Sequence, residues 1–142
     1  MKKKTNSMFN PGTYDKKLNL TLLLFRLAAG GLMLTHGMGK FTTLFGSEPI
    51  QFPDPLGVGA ITSLALTVFA EVLCALLIMI GLATRFAAVS LLITMLVAAF
   101  VIHADDPISK QELSLLYATI YFVIAVTGAG KFSIDRWIFS RK

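Results

Sequence analysis

Apolar residues in this chain gather into long blocks, over about 18–39, 60–82, 85–103 and 110–127, each close to the ~20 residues that carry an α-helix across a bilayer. Neither the alternation of a half-buried strand nor the narrow apolar stripe of a soluble helix is sustained. The interruptions fall between the blocks. Lys40 to Gly59 contains Gly46, Pro49, Pro53, Pro55 and Gly57, a spacing no helix tolerates, and reads as a long loop able to cover a site between helix ends. Gly81 to Thr84 makes a tight turn and so a hairpin of the second and third blocks. Asp105-Asp106-Pro107 breaks the chain before the fourth block, and Gly128 and Gly130 stop it. The pattern predicts an all-α integral membrane four-helix bundle over 18–130. A polar tail at 1–17 precedes it, with Asn10-Pro11-Gly12 as a turn and no helix before Leu18. A tail at 131–142 follows, in which Ser133 onward, with Trp137 and Phe139, reads as a short amphipathic helix on the membrane surface.

Composition agrees with this. Of 142 residues 55% are hydrophobic and 15% charged, against roughly a quarter charged in soluble domains, and the mean hydropathy is +0.71. Four spans leave no room for a further globular domain. The first block is too long for a cleaved signal peptide and has no A-x-A site. The net charge of +5 sits at the two ends with no folded module to present it, so nucleic acid is not expected as a partner; the lipid bilayer is. Lys2, Lys3, Lys4, Lys16 and Lys17 precede the first block, Arg85 lies in the second connection, and Lys131, Arg136, Arg141 and Lys142 follow the last. The other side has only Lys40 and Lys110. The positive-inside rule then puts both termini in the cytoplasm. The single cysteine, Cys74, lies in an apolar run, which excludes an internal disulfide and a CxxC pair, so any thiol chemistry would come from a partner.

A charge at the centre of a membrane helix costs about 2.5 to 3.5 kcal/mol and needs a counter-charge or a water-filled cavity. Arg26 and Glu71 are such residues, about 12 Å and 17 Å from the cytoplasmic ends of their helices. A gap of that size suits a buried ion pair that fixes register, or a pair that polarises a headgroup or relays protons. Arg26, Gly30, Gly37 and Lys40 share one helix face, as do Ser63, Thr67 and Glu71. Nearer the outer end, His36 and Lys40 close the first span, His103 closes the third and Glu112 opens the fourth. These come from three helices without a local ligand motif, so no metal is expected. Imidazole and ammonium groups facing quinone-type carbonyl oxygens suit the set better, since histidine exchanges protons near neutral pH. The plainer readings are a capping box at Ser109 to Glu112 and snorkelling of His36 and Lys40 to the interface. Gly30-Gly31 suits close helix packing, and Tyr117 and Tyr121 suit core or lipid contact.

The order and spacing of Arg26, His36-Gly37-x-x-Lys40, Glu71, Gly81-x-x-x-Arg85, His103, Glu112 and Gly128-x-Gly130-x-x-Ser133-x-Asp135 resemble the DoxX family of small four-helix membrane proteins. That family is related to the DoxD subunit of thiosulfate:quinone oxidoreductase. The resemblance covers about Leu20 to Trp137. It implies a bacterial inner-membrane bundle linked to quinone or quinol chemistry, to catechol and quinone stress, and to thiol redox complexes. It also implies that Arg26, His36, Lys40, Glu71, His103 and Glu112 form the polar interior; the basic N-terminal tail is an individual addition.

The expectation is therefore a quinone- or quinol-interacting, redox-associated inner-membrane protein. It would act as a membrane subunit beside a partner oxidoreductase, because the chain has no haem, flavin or iron–sulfur motif. The headgroup would lie between His36, Lys40, His103 and Glu112. The alternatives are a small transporter or exporter of an aromatic or lipid-like compound, with Glu71 titrating, and a scaffold subunit. Transport is disfavoured by the lack of internal repeats and midplane helix breaks. Surfaces of Ala and Gly would permit a homo-oligomer.

Overall fold

The structure, a computed structural model, describes residues 10–141; Lys2, Lys3 and Lys4 of the basic tail, and Lys142, lie outside them. Every regular element among the described residues is helical. α1 spans Lys16–Phe45, α2 Ala60–Ile80, α3 Thr84–Ile102, α4 Ile108–Thr127 and α5 Ile134–Ser140. Of these, α1, α2 and α3 are long and apolar enough to cross a bilayer. α4 is 20 residues long, but Lys110, Gln111 and Glu112 in its first turns dilute its apolar length.

The chain runs up α1, down α2, up α3 and down α4. One end of the bundle therefore carries the loop Gly46–Gly59, and the other carries residues 10–15 and α5. α1 packs on α2, α2 on α3 and α3 along α4, and α4 returns to α1. The core is made of small residues, with Ala70, Ala75, Ala87, Ala88 and Ala118 among Met33, Cys74, Ile78, Leu91, Tyr121 and Ile124. Small side chains let helices approach closely where lipid gives no hydrophobic push between them. Outward faces carry bare apolar residues such as Leu24, Ile61 and Phe122, as a bilayer requires.

Several boundaries differ from the sequence expectation. α1 opens two residues early because Asp15 accepts a bond from the Leu18 amide (2.8 Å) and caps Lys16. It continues past Gly39 to Phe45, since nothing between Lys40 and Phe45 forbids a helix and the first proline is Pro49. At 30 residues it is about 45 Å long, more than the ~30 Å hydrocarbon core, so its last turns carry the loop clear. α4 opens at Ile108 with Pro107 as cap and no side-chain cap bond. The expected capping box therefore does not form: Gln111 Nε2 donates instead to the His103 and Asp106 carbonyls (2.9 and 3.1 Å).

Two helices contain wide i→i+5 turns, over Phe69–Cys74 in α2 and Ala98–Ile102 at the end of α3. Such turns re-aim side chains relative to a regular helix and often mark functional positions.

Candidate functional site

In a helix each Cα–Cβ bond tilts toward the N-terminus, so long side chains on α1 lean toward the end where the chain begins. Lys40, near the loop end, leans back onto α2, and its Nζ lies 2.6 Å from both carboxylate oxygens of Glu71. Arg26, two-thirds of the way back along α1, leans the same way and so points away from Glu71. Its Nη1 donates to the Ile78 carbonyl at 3.1 Å, and its Nη2 donates to the Phe132 carbonyl beyond α4. The pairing expected between Arg26 and Glu71 is thus replaced by Lys40–Glu71. Glu71 packs at the level of Gly37, whereas Arg26 faces Ile78, seven residues or about 10 Å further along α2. Depth along the helices leaves both pairings within reach, and the direction of the side chains selects one.

Gly37 makes the close approach possible. A Cβ there would lie 2.9 Å from the Glu71 carbonyl oxygen and 2.8 Å from Val72. Glu71 sits inside the wide turn of α2 and is 3% exposed, while the Lys40 side chain is 34% exposed. The pair is therefore a buried carboxylate held by an ammonium that reaches in from the edge.

Two cavities meet at this pair. One, of about 300 Å³, lies among α1, α3 and α4 and is lined by Met33, His36, Met95, His103, Ser114 and Tyr117. The other, of about 280 Å³, lies between α2 and α3 and is lined by Leu66, Thr67, Phe69, Ser90, Ile93 and Thr94. Lys40, Phe52, Glu71, Ala98 and Ile102 line both. Both wide turns border both cavities, so the irregular backbone lies where the interior is hollow.

The loop covers this region through Phe52 with Pro53 on one side and Pro55 and Leu56 on the other. It is fixed by Asp54, whose carboxylate accepts from the Val58 and Gly59 amides (2.9 and 2.8 Å) and from Ser63 Oγ at 2.7 Å. These bonds, the Ser63 hydroxyl first, hold the Asp54 carboxyl below the usual carboxylate range.

His36 lies edge-on to Tyr117, with ring centroids 5.7 Å apart, and Tyr117 stacks on Tyr121 at 6.0 Å. The Tyr121 hydroxyl donates to the Ala29 carbonyl (3.3 Å), so an aromatic row runs from the first cavity into the core. His103 is 2.7 Å from Asp106 through Nδ1. Hydrogen bonds from His103 and then Lys110 keep the Asp106 carboxyl below its ordinary value. A carboxylate only accepts, so Nδ1 carries the hydrogen and the contact fixes the orientation of the ring.

Of the expected cluster, His36, Lys40 and His103 come together, joined by Glu71. Glu112 does not join them: it is exposed, on the outward face of α4 shared with Leu116, and lines neither cavity, whereas Leu113, Ser114 and Tyr117 line the first. Sequence reasoning missed Phe52 and the two methionines, which carry no charge to draw attention, and read Tyr117 as core or lipid contact, whereas it lines the first cavity. Among the described residues no three of His, Cys, Asp and Glu gather where a metal ion could be held.

The opposite end is built to hold shape. The Asp135 carboxylate, 1% exposed, accepts from the amides of Ala83 and Thr84 (2.8 and 2.9 Å) and so caps α3 from α5. Its own amide donates to the Gly81 carbonyl at 2.8 Å, and its charge faces that of Arg26. Arg85 donates to the carbonyls of Asn10 (3.2 Å) and Ala125 (2.9 Å), and Asn19 Oδ1 accepts from the Lys131 amide at 2.6 Å. These bonds tie both ends of the described chain to the helix termini.

A model of the DoxX family matches residues 21–104. Among curated proteins, the chain is 26% identical over 90% of its length to a Bacillus subtilis (strain 168) protein named "Putative oxidoreductase CatD", 94% of which is covered. It is 30% identical to an uncharacterized membrane protein of Mycobacterium tuberculosis, over 85% of this chain and 83% of that one. An uncharacterized protein of Haemophilus influenzae is 29% identical over 84% of this chain and 83% of its own length. No solved structure matches.

Proposed function

The chain belongs to the DoxX family of membrane proteins, and we propose that this member binds the headgroup of a quinone or quinol at the Lys40–Glu71 pair and exchanges its protons there. The observation that carries this reading is the pair itself: a bidentate ammonium–carboxylate contact exposed to a cavity of about 300 Å³ under the Phe52–Pro53 loop. That volume lies at the lower end of the range for small-molecule sites, which are mostly apolar with a few convergent polar groups.

The donor set fits the chemistry. A quinone carbonyl accepts from the Lys40 ammonium or from His36, and a quinol hydroxyl donates to a Glu71 oxygen. Lys40 and Glu71 balance each other, so a neutral headgroup enters without leaving a charge uncompensated. Tyr117 offers an aromatic face beside His36. His103, fixed by Asp106, stands at the loop end to pass protons to water.

Oxidation of a quinol to the quinone releases two protons and two electrons. The protons leave through these side chains. The electrons go to a partner protein that carries the redox centre, since the sequence has no motif for one and its single thiol, Cys74, is buried in the core. The name of the Bacillus subtilis relative supports a redox role. In this reading α4 is the fourth span, the protein lies in the inner membrane, and both termini are cytoplasmic, with the loop and His103 on the outer side.

Transport fits less well. Among the described residues, the half of the core nearer the termini is filled by the buried side chains of Cys74, Ile78, Leu91, Tyr121 and Ile124, which stand between Glu71 and that end.

The test is a titration of the purified protein with a tail-less naphthoquinone, alongside His36→Ala and Glu71→Gln. Saturable binding that either substitution weakens by about tenfold, the loss expected of one hydrogen bond to a charged or polar partner, supports the reading. No saturable binding to the unmodified protein sinks it.

A further inference from the structure

Resting on that reading, the geometry points to the second cavity, between α2 and α3, as a lateral portal through which the prenyl or alkyl chain of the bound ligand passes from the Lys40–Glu71 pair into the lipid.

Four observations converge on it. First, the α2–α3 hairpin is closed at the Gly81–Thr84 turn and at the wide turn Phe69–Cys74. Toward the loop end Ala60–Val68 stands away from α3, so the hairpin opens as a V. Second, the mouth of the V is rimmed by side chains turned outward into the apolar belt: Leu66 is 50% exposed, Phe69 38% and Ile93 57%. These are the residues a bilayer touches, so the opening faces acyl chains rather than water.

Third, the cavity's hydroxyls have little to offer a polar solute. Thr67 donates to the Ser63 carbonyl (2.8 Å), Ser90 to Phe86 and Thr94 to Ser90 (both 3.0 Å), and Ser63 to Asp54. With their protons committed within the chain, they present methyl and methylene groups, a wall suited to a hydrocarbon. Fourth, the portal is continuous with the headgroup cavity, because Lys40, Phe52 and Glu71 line both. A ligand with a polar ring and a long apolar chain needs this arrangement. Its ring lies at the charged pair and its chain leaves sideways, since the closed core blocks exit toward the termini.

The occupant is thus an isoprenoid or alkyl quinone that never leaves the membrane. A tail already in lipid gains little by entering another apolar space. The portal therefore supplies passage rather than affinity, and blocking it is the informative change.

The experiment uses the full chain in lipid nanodiscs, with ligand counted per lipid. It compares a naphthoquinone bearing two isoprene units with the same ring lacking a tail. In the unmodified protein both bind. In Thr94→Phe, which fills the V with an aromatic ring, the prenylated ligand is expected to weaken by about tenfold or more, as overpacking does, while the tail-less one stays within about twofold. Thr94→Val, matched in shape, leaves both unchanged. A photoreactive group on the tail gives a second readout and is expected to label Leu66–Phe69 or Ser90–Val97. Equal weakening of both ligands, no weakening of either, or labelling elsewhere overturns the portal and leaves the headgroup site standing. Failure of both ligands to bind the unmodified protein overturns the headgroup site and the portal together.

Discussion

Lys40 Nζ lies 2.6 Å from both carboxylate oxygens of Glu71, and this one contact fixes the level of α1 against α2, lines both cavities where they meet and supplies the charge of the site. Removing either partner alone therefore differs from removing both. Lys40→Met strands a carboxylate that is 3% exposed. A fully buried pair broken in this way loses about 3–5 kcal/mol, but Lys40 is one-third exposed, so about 1–3 kcal/mol is expected here. Adding Glu71→Gln to Lys40→Met is expected to recover at least half of that loss, read as the thermal unfolding midpoint in detergent. Strictly additive effects would mean that the two side chains do not sense each other.

Arg26 and Glu71 are buried, Lys40 and His103 half-buried, and His36 is exposed while lining a cavity; polar residues inside apolar blocks are legible in any membrane sequence because their insertion is costly. Their partners were not legible. The distance from Arg26 to Glu71 looked bridgeable when depth was measured from helix ends, but the tilt of Cα–Cβ bonds sends Arg26 to Phe132 and Lys40 to Glu71. Glu112 is exposed and lines neither cavity, because offsets of two and five residues on α4 separate it from Ser114 and Tyr117 by rotations of about 140–160°. Asp135 stands in the closing motif without a role for a different reason: its partners Ala83 and Thr84 lie 51 to 52 residues earlier, and no local pattern announces a cap supplied from another helix.

Glycines that look alike in the sequence should respond oppositely. Gly37→Ala places a Cβ 2.9 Å from backbone atoms of Glu71, which cannot move without unseating the pair, and about 1–3 kcal/mol of destabilisation is expected from overpacking. At Gly31 and Gly39 a Cβ meets nothing within 4 Å. Alanine there is expected to stabilise α1 by about 0.5–1 kcal/mol through its better helix propensity. Three midpoints measured side by side decide this, and a loss at Gly39→Ala equal to that at Gly37→Ala would contradict the helix contact.

Docking of the loop over the cavities should be insensitive to pH across the physiological range and fail only in acid. The Asp54 carboxyl is held below its ordinary value by Ser63 and the amides of Gly59 and Val58. A depressed folded value means that the stabilisation is complete above the unfolded value of about 3.9 and is lost as pH falls through the folded one. Limited proteolysis within 46–59 is therefore expected to be flat from about pH 5 to 8 and to rise only below about pH 4. Asp54→Asn should show the open-loop cleavage at every pH. A rise near neutral pH would assign the control to another group.

The two ends of the bundle should separate experimentally, because the bonds of one do not pass through the other. Asp135→Ala leaves the amides of Ala83 and Thr84 without an acceptor in a buried turn where Ala83 has a φ of 47° and relies on its surroundings to hold it. Loss of a cap is worth about 1 kcal/mol, and a stranded buried donor adds about 1–3 kcal/mol. The midpoint should fall accordingly, and cleavage should appear near Ser133, where α5 detaches. At temperatures where the variant is still folded, the affinity for a tail-less quinone should stay unchanged, since no atom of Asp135 touches the Lys40–Glu71 pair or either cavity lining. A parallel loss of affinity and stability would mean that the turn at Gly81–Thr84 sets the opening of the α2–α3 hairpin, and the site would then have to be understood as coupled to the end that holds the termini.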